Sequence, residues 1–417
     1  MRRSYRPPTL GLATILSIVT ACSAYAGSAD QQEFTLIEQG RYLSILSDCG
    51  GCHTAPGGRP FAGGRPIETP FGSIVAPNIT PDLETGIGAW TDDQFDAALR
   101  RGIGWNGAHL YPAMPYNAYT RMSRDDALAI RAYLSSLDPV RQSRNPNTLP
   151  FPFNVRKLMA VWNKLYFAAR EYEPDQKRSP EWNRGKFIVD GPAHCGACHT
   201  PKTMLGGDRT DQYLQGANLQ GWSAPDITNS TRTGLGSWTA EDVALYLKTG
   251  HNRLSAATGP MAEAVEQSTS RMTDADTMAI ATYLKSLPGK AEESRGSASV
   301  EGNMMAAGGA IYRDQCSACH GLEGKGVEHL FPSLSGSAMV RSDDPTTVIR
   351  MLLRGARSAS TDAEPTAAGM PSYGWQLDDR QIADVLNYVR NSWGARSPAI
   401  EARDVTRVRA ETASRAD

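Results

Sequence analysis

Three copies of one five-residue pattern carry the most specific chemistry in this sequence. Each copy has two cysteines separated by two residues and followed directly by a histidine: Cys49-Gly50-Gly51-Cys52-His53, Cys195-Gly196-Ala197-Cys198-His199 and Cys316-Ser317-Ala318-Cys319-His320. Two thiols at this spacing can add across the two vinyl groups of one porphyrin, which makes C-x-x-C-H the attachment pattern of haem c. The adjacent histidine then lies under the iron as an axial ligand. A zinc half-site or a redox-active C-x-x-C can look similar once, but three complete copies predict three covalent haems.

A methionine beside a proline supplies a candidate for the opposite face of each iron. These residues are Met114 in Pro112-Ala113-Met114-Pro115, Met261 in Gly259-Pro260-Met261 and Met370 in Gly369-Met370-Pro371. We predict that all three lie in loops and act as axial thioether ligands. A six-coordinate iron leaves no site for a substrate, which favours electron transfer over peroxidase or oxygenase chemistry.

Other side chains compete for the same role. His109 precedes Met114 and His251 precedes Met261 at different offsets, and the third copy has no counterpart, so neither histidine fits a repeated ligand scheme. Met278 and Met351 are predicted to lie on helices and to fill the core. His194 and His329 are predicted at the surface or at a haem edge: the pattern offers them no ligand role.

A degenerate internal repeat would position these residues. Each copy has a helix before the haem motif, a proline-containing loop after it, a middle helix and a closing helix. The predicted N-caps are Thr91 and Thr239 for two middle helices, and Ser123, Thr273 and Asp378 for the closing helices. Strand-like alternation is scarce, so the fold class is mostly α. The layout is that of three class I cytochrome c domains in tandem, at 27–140, 181–289 and 301–395.

Three prolines, Pro77, Pro225 and Pro332, follow the haem histidines in this layout. The resemblance to cytochromes c implies that their carbonyl groups accept a hydrogen bond from Nδ1–H of the proximal histidine, which fixes the ring and raises its donor strength. The alternative is that they are turn prolines and nothing more.

The segments outside the three units carry separate predictions. Residues 1–26 are typical of a secretory signal peptide, with Arg2, Arg3 and Arg6 before an apolar run and Ala24-Tyr25-Ala26 as a cleavage site. A lipoprotein processing site that leaves Cys22 lipidated is the alternative. Residues 290–300 are predicted to be a flexible linker, and the polar tail 396–417 is predicted to be disordered.

The linker at 141–180 is more than a tether. Asn154 can cap a helix over 155–169 in which Val155, Leu158, Met159, Trp162, Leu165 and Tyr166 recur at helical spacing. This apolar face either packs on the haem units or docks a partner or the membrane interface.

Composition excludes several classes of protein. The chain has 417 residues, a formal net charge of −1 and no apolar run long enough to cross a bilayer. Removal of the predicted signal removes only positive charge, so neither nucleic acid nor an anionic lipid surface is an obvious partner. Six of the seven cysteines belong to the haem motifs, which leaves no pair for a disulfide.

Longer stretches around these motifs resemble the trihaem cytochrome c subunits of membrane-bound dehydrogenases, a family that serves alcohol, gluconate, sorbitol, fructose and aldehyde dehydrogenases. The resemblance covers nearly the whole mature chain and includes Gly63-Gly64, Ala76-Pro77-Asn78-Ile79-Thr80, Leu110-Tyr111-Pro112-Ala113-Met114-Pro115-Tyr116, Pro150-Phe151-Pro152-Phe153-Asn154 and Trp182-Asn183-Arg184-Gly185.

The resemblance implies a non-catalytic subunit on the periplasmic side of the bacterial inner membrane, with peripheral membrane association. It would take electrons from a flavin or pyrroloquinoline quinone (PQQ) dehydrogenase, with room for a small third subunit, and pass them to ubiquinone. Two alternatives stay open from the sequence: a haem enzyme of peroxidase type, in which one haem loses its methionine, and a free periplasmic carrier.

Overall fold

Three helical units follow one another along the chain, as the repeat predicts. The structure is a computed structural model that describes residues 31–219, 221–289, 300 and 302–413. The predicted signal peptide, Cys22 and nearly all of the predicted linker 290–300 lie outside the described residues. Within the described residues no helix is long and apolar enough to cross a membrane.

The first unit begins with α1, whose described part covers residues 31–46. It continues with α2 Cys49–His53, β1 Pro66–Thr69, β2 Gly72–Val75, α3 Asp92–Arg101, α4 Tyr116–Tyr119 and α5 Arg124–Ser135. The linker contributes a 3₁₀ turn Arg156–Leu158 and α6 Met159–Tyr166.

The second unit repeats the order of helices of the first. The described residues of the third keep the first, attachment, middle and closing helices, without a counterpart of α4, and end in an additional helix. The second contains α7 Pro180–Asp190, α8 Gly196–His199, a 3₁₀ turn Thr210–Gln212, β3 Gln215–Leu219, β4 Trp222–Asp226, α9 Ala240–Thr249, α10 Pro260–Gln267, a 3₁₀ turn Thr269–Arg271 and α11 Asp274–Ser286. The third contains α12 Gly302–Gln315, α13 Ser317–His320, α14 Thr346–Arg354, β5 Ala356–Arg357, β6 Gly369–Met370, α15 Asp379–Asn391 and α16 Ala402–Ala413. The strands form antiparallel pairs β1–β2, β3–β4 and β5–β6. The mostly α fold class is therefore confirmed.

Side-chain caps begin the repeated helices where the sequence predicts them. Thr91 and Thr239 accept hydrogen bonds from the backbone N–H three residues on, at the starts of α3 and α9. Ser123, Thr273 and Asp378 do the same for α5, α11 and α15. Each cap satisfies an N–H group that the first turn would otherwise leave unpaired, so the helix boundaries follow from local chemistry.

Glycines allow the first and last helices of each unit to cross at backbone contact. A Cβ atom on Gly40 would lie 1.7 Å from the carbonyl oxygen of Ala129, and one on Gly185 would lie 1.9 Å from that of Ala279. In the third unit the contact falls on Gly308, where the Cβ would lie 2.0 Å from the carbonyl oxygen of Asp384. The crossing that encloses each haem site therefore depends on a missing side chain.

The apolar cores divide the molecule unequally. One buried cluster runs from Leu43 and Leu134 of the first unit to Ile188 and Leu284 of the second. A second cluster belongs to the third unit. The first two units therefore share a core, whereas the third has its own.

Residues 396–413 of the polar tail are ordered, so the prediction of disorder is wrong for them. Residues 402–413 form α16, on which Val405 and Val408 are fully buried against the core of the third unit. Arg409 of α16 also pairs with Asp379 of α15 at 2.8 Å. Few apolar residues suffice here because they recur at helical spacing on one side of a charged helix.

The linker helix is shorter than predicted and splits its apolar residues between two environments. α6 ends at Tyr166, and the turn before it has no side-chain cap, so Asn154 does not begin the helix. Trp162 is buried, whereas Leu158 and Leu165 are exposed. Only one side of the predicted face is used for internal packing.

Candidate haem-binding sites

Each attachment motif lies on a single helical turn that follows a longer helix. The short helices α2, α8 and α13 contain or begin directly after the first cysteine of their motif. Residues three apart on a helix share a face, so both thiols of a motif point to the same side. The next residue is the histidine at the end of the turn, which places all three groups around one cleft.

The histidine rings are held by the proline carbonyls that the sequence singled out. Nδ1 lies 2.7 Å from the carbonyl oxygen of Pro77 for His53, 2.7 Å from that of Pro225 for His199, and 3.1 Å from that of Pro332 for His320. A carbonyl oxygen only accepts, so Nδ1 carries the proton and donates. Nε2 is then left with its lone pair, which is the form of imidazole that binds a metal.

Burial keeps these three rings neutral in the structure. It lowers the pKa of His53, His199 and His320 below the usual value, while the proline carbonyl partly opposes the shift. A neutral ring with a fixed tautomer needs no rearrangement to ligate iron.

The cysteines lack the lowered pKa of redox-active thiols. Burial raises the pKa of Cys49 and Cys316 to about 11 and that of Cys52 and Cys195 to about 12. Redox-active C-x-x-C motifs show the opposite shift, toward a stable thiolate. In the part of the chain that the structure describes, no three His, Cys, Asp or Glu side chains come together to hold a metal ion. The thiols therefore fit thioether attachment best.

An apolar cavity in the third unit has the lining that a porphyrin requires. Cys316, Cys319 and His320 lie on its wall together with Pro332 and Met370. The rest of the lining is mainly apolar and includes Leu334, Val348, Leu352, Val385 and Leu386. The residues present thus fit a covalent haem with histidine on one side and methionine on the other.

The three candidate methionines do not share one local structure. Met114 lies in a turn before α4, as expected, but Met261 is in the first turn of α10 and Met370 lies in strand β6. The prediction of a loop is therefore wrong for Met261 and Met370, because Pro260 opens a helix at its first position and Met370 pairs with Ala356 across β5–β6. Met114 and Met261 pack against the shared apolar core of the first two units. In the third unit Met339 and Met351 line the same cavity as Met370, so the choice of Met370 stays a prediction.

The other histidines occupy distinct places. Nδ1 of His109 is 3.3 Å from the side-chain amide of Asn163, and the ring of His251 packs against that of His329 with centroids 5.7 Å apart. His194 contacts Tyr119 and the carbonyl oxygen of Ser47. His194 is thus a contact between the first and second units, directly before the second attachment motif.

Two basic residues that sequence reasoning missed brace the attachment turns. Arg65 donates to the carbonyl oxygen of Gly51 at 2.6 Å, and Lys202 donates to that of Gly196 at 3.0 Å. They follow their histidines at different distances along the chain, so no repeated spacing reveals them. Both orient the C-x-x-C turn through its backbone.

The haem-bearing units also contact one another. Arg65 forms a two-pronged ion pair with Glu263, which lies on α10 beside Met261. The methionine-bearing helix of the second unit therefore lies against the attachment turn of the first. Between the second and third units, Ser223 donates to Thr347 at 2.7 Å and the Arg350 guanidinium lies 4.6 Å from the Trp222 ring centroid.

Comparison with known proteins agrees with this geometry. The Cytochrome c family model matches residues 37–138, 183–288 and 305–393. The gluconate 2-dehydrogenase cytochrome c subunit of Pantoea cypripedii is 37% identical over 95% of this chain and 95% of its own. The cytochrome c subunit of the quinone alcohol dehydrogenase of Gluconobacter oxydans is 37% identical over 96% of this chain and 87% of its own. The fructose dehydrogenase cytochrome subunit of Gluconobacter japonicus is 38% identical over 90% and 82%.

Three matched units, each with a complete attachment motif, establish that the protein carries three covalently bound haem c groups. The matches extend over nearly the full length of subunits that transfer electrons and do not themselves catalyse the dehydrogenation. The chain therefore belongs to the cytochrome c family, as a member of the cytochrome c subunits of membrane-bound dehydrogenases.

Proposed function

We propose that this protein takes electrons from a separate periplasmic dehydrogenase chain and passes them through its three haems to ubiquinone. The observation that carries the proposal is the packing of three attachment sites in one molecule, with α10 of the second unit against the attachment turn of the first. Sites in contact through packed elements suit a relay better than three independent carriers. The haems supply one-electron chemistry, and the chain holds and orients them.

The ligand set is part of this proposal. The covalent attachments are Cys49 with Cys52, Cys195 with Cys198, and Cys316 with Cys319. The axial pairs are His53 with Met114, His199 with Met261, and His320 with Met370, and the hydrogen bonds from the histidines to Pro77, Pro225 and Pro332 orient the rings.

The class of partner is inferred from the relatives. Their names specify dehydrogenases of gluconate, alcohol and fructose, one of them with quinone as acceptor. We therefore infer an alcohol, sugar or sugar acid as the partner's substrate, and a flavin or PQQ as its cofactor. A small third subunit would complete the complex.

The proposed location is the periplasmic side of the inner membrane, reached by the N-terminal signal and held by peripheral contact. Covalent attachment of haem c takes place outside the bacterial cytoplasm, which supports export. The mass of the N-terminal peptide of the exported protein shows whether the signal peptide is cleaved as proposed or whether Cys22 is lipidated.

Copurification tests the proposal most directly. The haem-loaded protein, isolated from its own membranes in mild detergent, should bring with it a large chain containing flavin or PQQ. Addition of that chain's substrate should reduce the haems, and a soluble ubiquinone analogue should reoxidise them. Reduced protein that binds CO and turns over peroxide, with no such partner, would instead support the peroxidase alternative.

A further inference from the structure

An exposed apolar surface is formed by two segments that are distant in sequence. It consists of Phe151, Leu158, Val161 and Leu165 from the linker together with Met204 and Leu205 from the loop after the second attachment motif, and we call it the linker patch. The exposed fractions of these side chains range from 44% for Leu158 to 95% for Met204. Scattered apolar side chains on a surface are ordinary, but a group of this size marks an interaction site.

Contacts beneath the patch place the two segments side by side. The indole N–H of Trp162, on the inner side of α6, donates to the carbonyl oxygen of Leu205 at 2.9 Å. A Cβ on Gly207 would lie 2.2 Å from the ring of Tyr166, so helix and loop are in direct contact. Phe71 packs against Phe153 with centroids 4.7 Å apart and would meet a Cβ on Gly206 at 3.0 Å. The patch is therefore a formed surface before any partner arrives.

The linker segment, which supplies most of the patch, carries charge of one sign. No acidic residue occurs between Asp138 and Glu171, whereas that interval contains Arg141, Arg144, Arg156, Lys157, Lys164 and Arg170. The whole chain, by contrast, has a net charge of −1. Among the described residues neither Lys157 nor Lys164 forms an ion pair, and both are exposed next to the apolar side chains. Part of the positive charge is thus available to an anionic surface.

The combination of residue types distinguishes a bilayer from a protein partner. Protein interfaces are enriched in aromatic residues and arginine and depleted in lysine at their core. Surfaces that enter the headgroup region of a bilayer combine apolar side chains such as Leu, Phe and Trp with lysines and arginines that reach anionic phosphates. The outer side of α6, with Leu158, Val161 and Leu165 beside Lys157 and Lys164, has the second composition.

We propose that the linker patch is the surface by which this protein binds the interface of an anionic phospholipid bilayer. The proposal rests on the peripheral membrane association proposed above and names its surface and lipid class. It differs from the expectation from net charge that an anionic lipid surface is no obvious partner, because the positive charge is concentrated in one segment. It also orients the molecule, since Met204 and Leu205 follow His199 closely and bring the second unit to the membrane.

Vesicle flotation with the haem-loaded protein tests the assignment. Wild-type protein should float with phosphatidylcholine vesicles that contain phosphatidylglycerol, and less so at high salt. Val161→Asp with Leu165→Asp should weaken binding about tenfold or more, since two apolar side chains no longer enter the interface. Lys157→Gln with Lys164→Gln should abolish the preference for phosphatidylglycerol. Haem spectra and melting temperature should stay unchanged in both variants. Both keep the wild-type N-terminus, so lipidation at Cys22 cannot account for a difference in vesicle binding.

A charge-matched control separates the patch from exposed apolar residues in general. Leu322→Asp with Trp375→Asp changes two exposed side chains of the third unit and should bind vesicles like the wild type. The proposal is overturned if wild-type protein does not prefer anionic vesicles or if the Val161/Leu165 variant floats as well as the wild type. It is also overturned if that variant loses the dehydrogenase in detergent while vesicle binding persists. Reduction of a soluble quinone analogue in detergent tests the proposed function separately.

Discussion

At the scale of single residues, the chain prepares each histidine before any haem is considered. A proline carbonyl fixes the Nδ1 proton of His53, His199 and His320, so that Nε2 is directed to the cleft in the right protonation state. Arg65 and Lys202 hold the backbone of two attachment turns. The ligand geometry therefore depends on side chains that touch neither thiol nor imidazole.

The methionine ligands can be tested one at a time. Met114→Ala, Met261→Ala and Met370→Ala should each remove about one third of the red-end absorption band that reports iron–sulfur ligation in the oxidised protein, since each supplies one of three thioethers. His109→Ala, His251→Ala and Met351→Ala should leave the band intact. If Met351→Ala removes about one third of the band and Met370→Ala leaves it intact, then Met351 and not Met370 is the methionine ligand of the third haem.

A buried carboxyl beside the first attachment motif should make stability depend on pH. Burial, helped by the nearby Glu263 carboxylate, raises the pKa of Asp48 to about 7, and Oδ1 of Asp48 is buried without a hydrogen-bond partner. The unfolded chain releases this proton near pH 4, so the stabilisation is complete at lower pH and is lost as the pH rises to about 7. The Asp48 contribution to stability therefore falls over that interval.

Asp48→Asn should remove the loss of folding stability that ionisation of Asp48 causes as the pH rises. Asparagine stays neutral and tolerates the left-handed backbone that Asp48 adopts, with φ of 47°. The stability of the variant relative to wild type should rise between pH 4 and pH 7 by up to about 4 kcal/mol, at 1.36 kcal/mol per pKa unit. Denaturant unfolding of the haem-loaded protein across this range measures the difference, and a difference that does not change with pH would contradict a neutral buried carboxyl.

At the scale of elements, the helix crossing is the feature that the three units share most closely. Gly40, Gly185 and Gly308 each face a backbone carbonyl of the closing helix. Backbone contact at this point brings the two longest helices of a unit together and closes one end of the haem site. α6 shows the opposite case, in which one side of a helix packs and the other is left for a partner.

Gly308→Ala should destabilise the third unit. The new Cβ would lie 2.0 Å from the carbonyl oxygen of Asp384, and separation of the helices should cost about 1–3 kcal/mol or more, as in other overpacked cores. Gly302→Ala is a matched control in the same helix, because nothing lies within 4 Å of the added atom. Thermal unfolding followed by circular dichroism should show a lower melting temperature for the first variant alone. Equal melting of the two would mean that the crossing is looser than described.

At the scale of the whole molecule, the first two units behave as one structural block. They share an apolar core, and the Tyr42 hydroxyl of the first donates to Asp276 of the second at 2.7 Å, where Arg184 also binds. The third unit has a separate core, completed by α16. Cooperative units in proteins follow such shared contacts.

Gly40→Ala should therefore loosen two units at once. Its Cβ would lie 1.7 Å from the carbonyl oxygen of Ala129, and loss of the first unit's packing removes part of the second unit's core. Hydrogen exchange followed by mass spectrometry should show faster exchange in α5 and in α11, with α15 unchanged. Gly308→Ala should instead speed exchange in α15 and leave α5 and α11 unchanged. An effect of Gly40→Ala confined to the first unit would mean that the shared core contributes little.

Chemistry within a few residues was readable from the sequence. Two thiols on one turn with a histidine next to them predict the haem sites, and a cap three residues before its N–H partner predicts where α3, α5, α9, α11 and α15 begin. These interactions have a fixed offset along the chain, because one helical turn sets both the spacing and the contact. For that reason the number of haems, the fold class and the boundaries of the repeated helices follow from the sequence.

Only the tertiary structure decided which residues meet across long separations. The brace from Arg65, the contact of His194 with the first unit, the burial of α16 and the two environments of α6 all join segments with no constant spacing. Charge shows the same limit: the net value conceals a basic segment that the fold exposes beside apolar side chains. A long-range contact depends on how whole elements pack, and packing is set by the shape of every surface involved rather than by a local pattern.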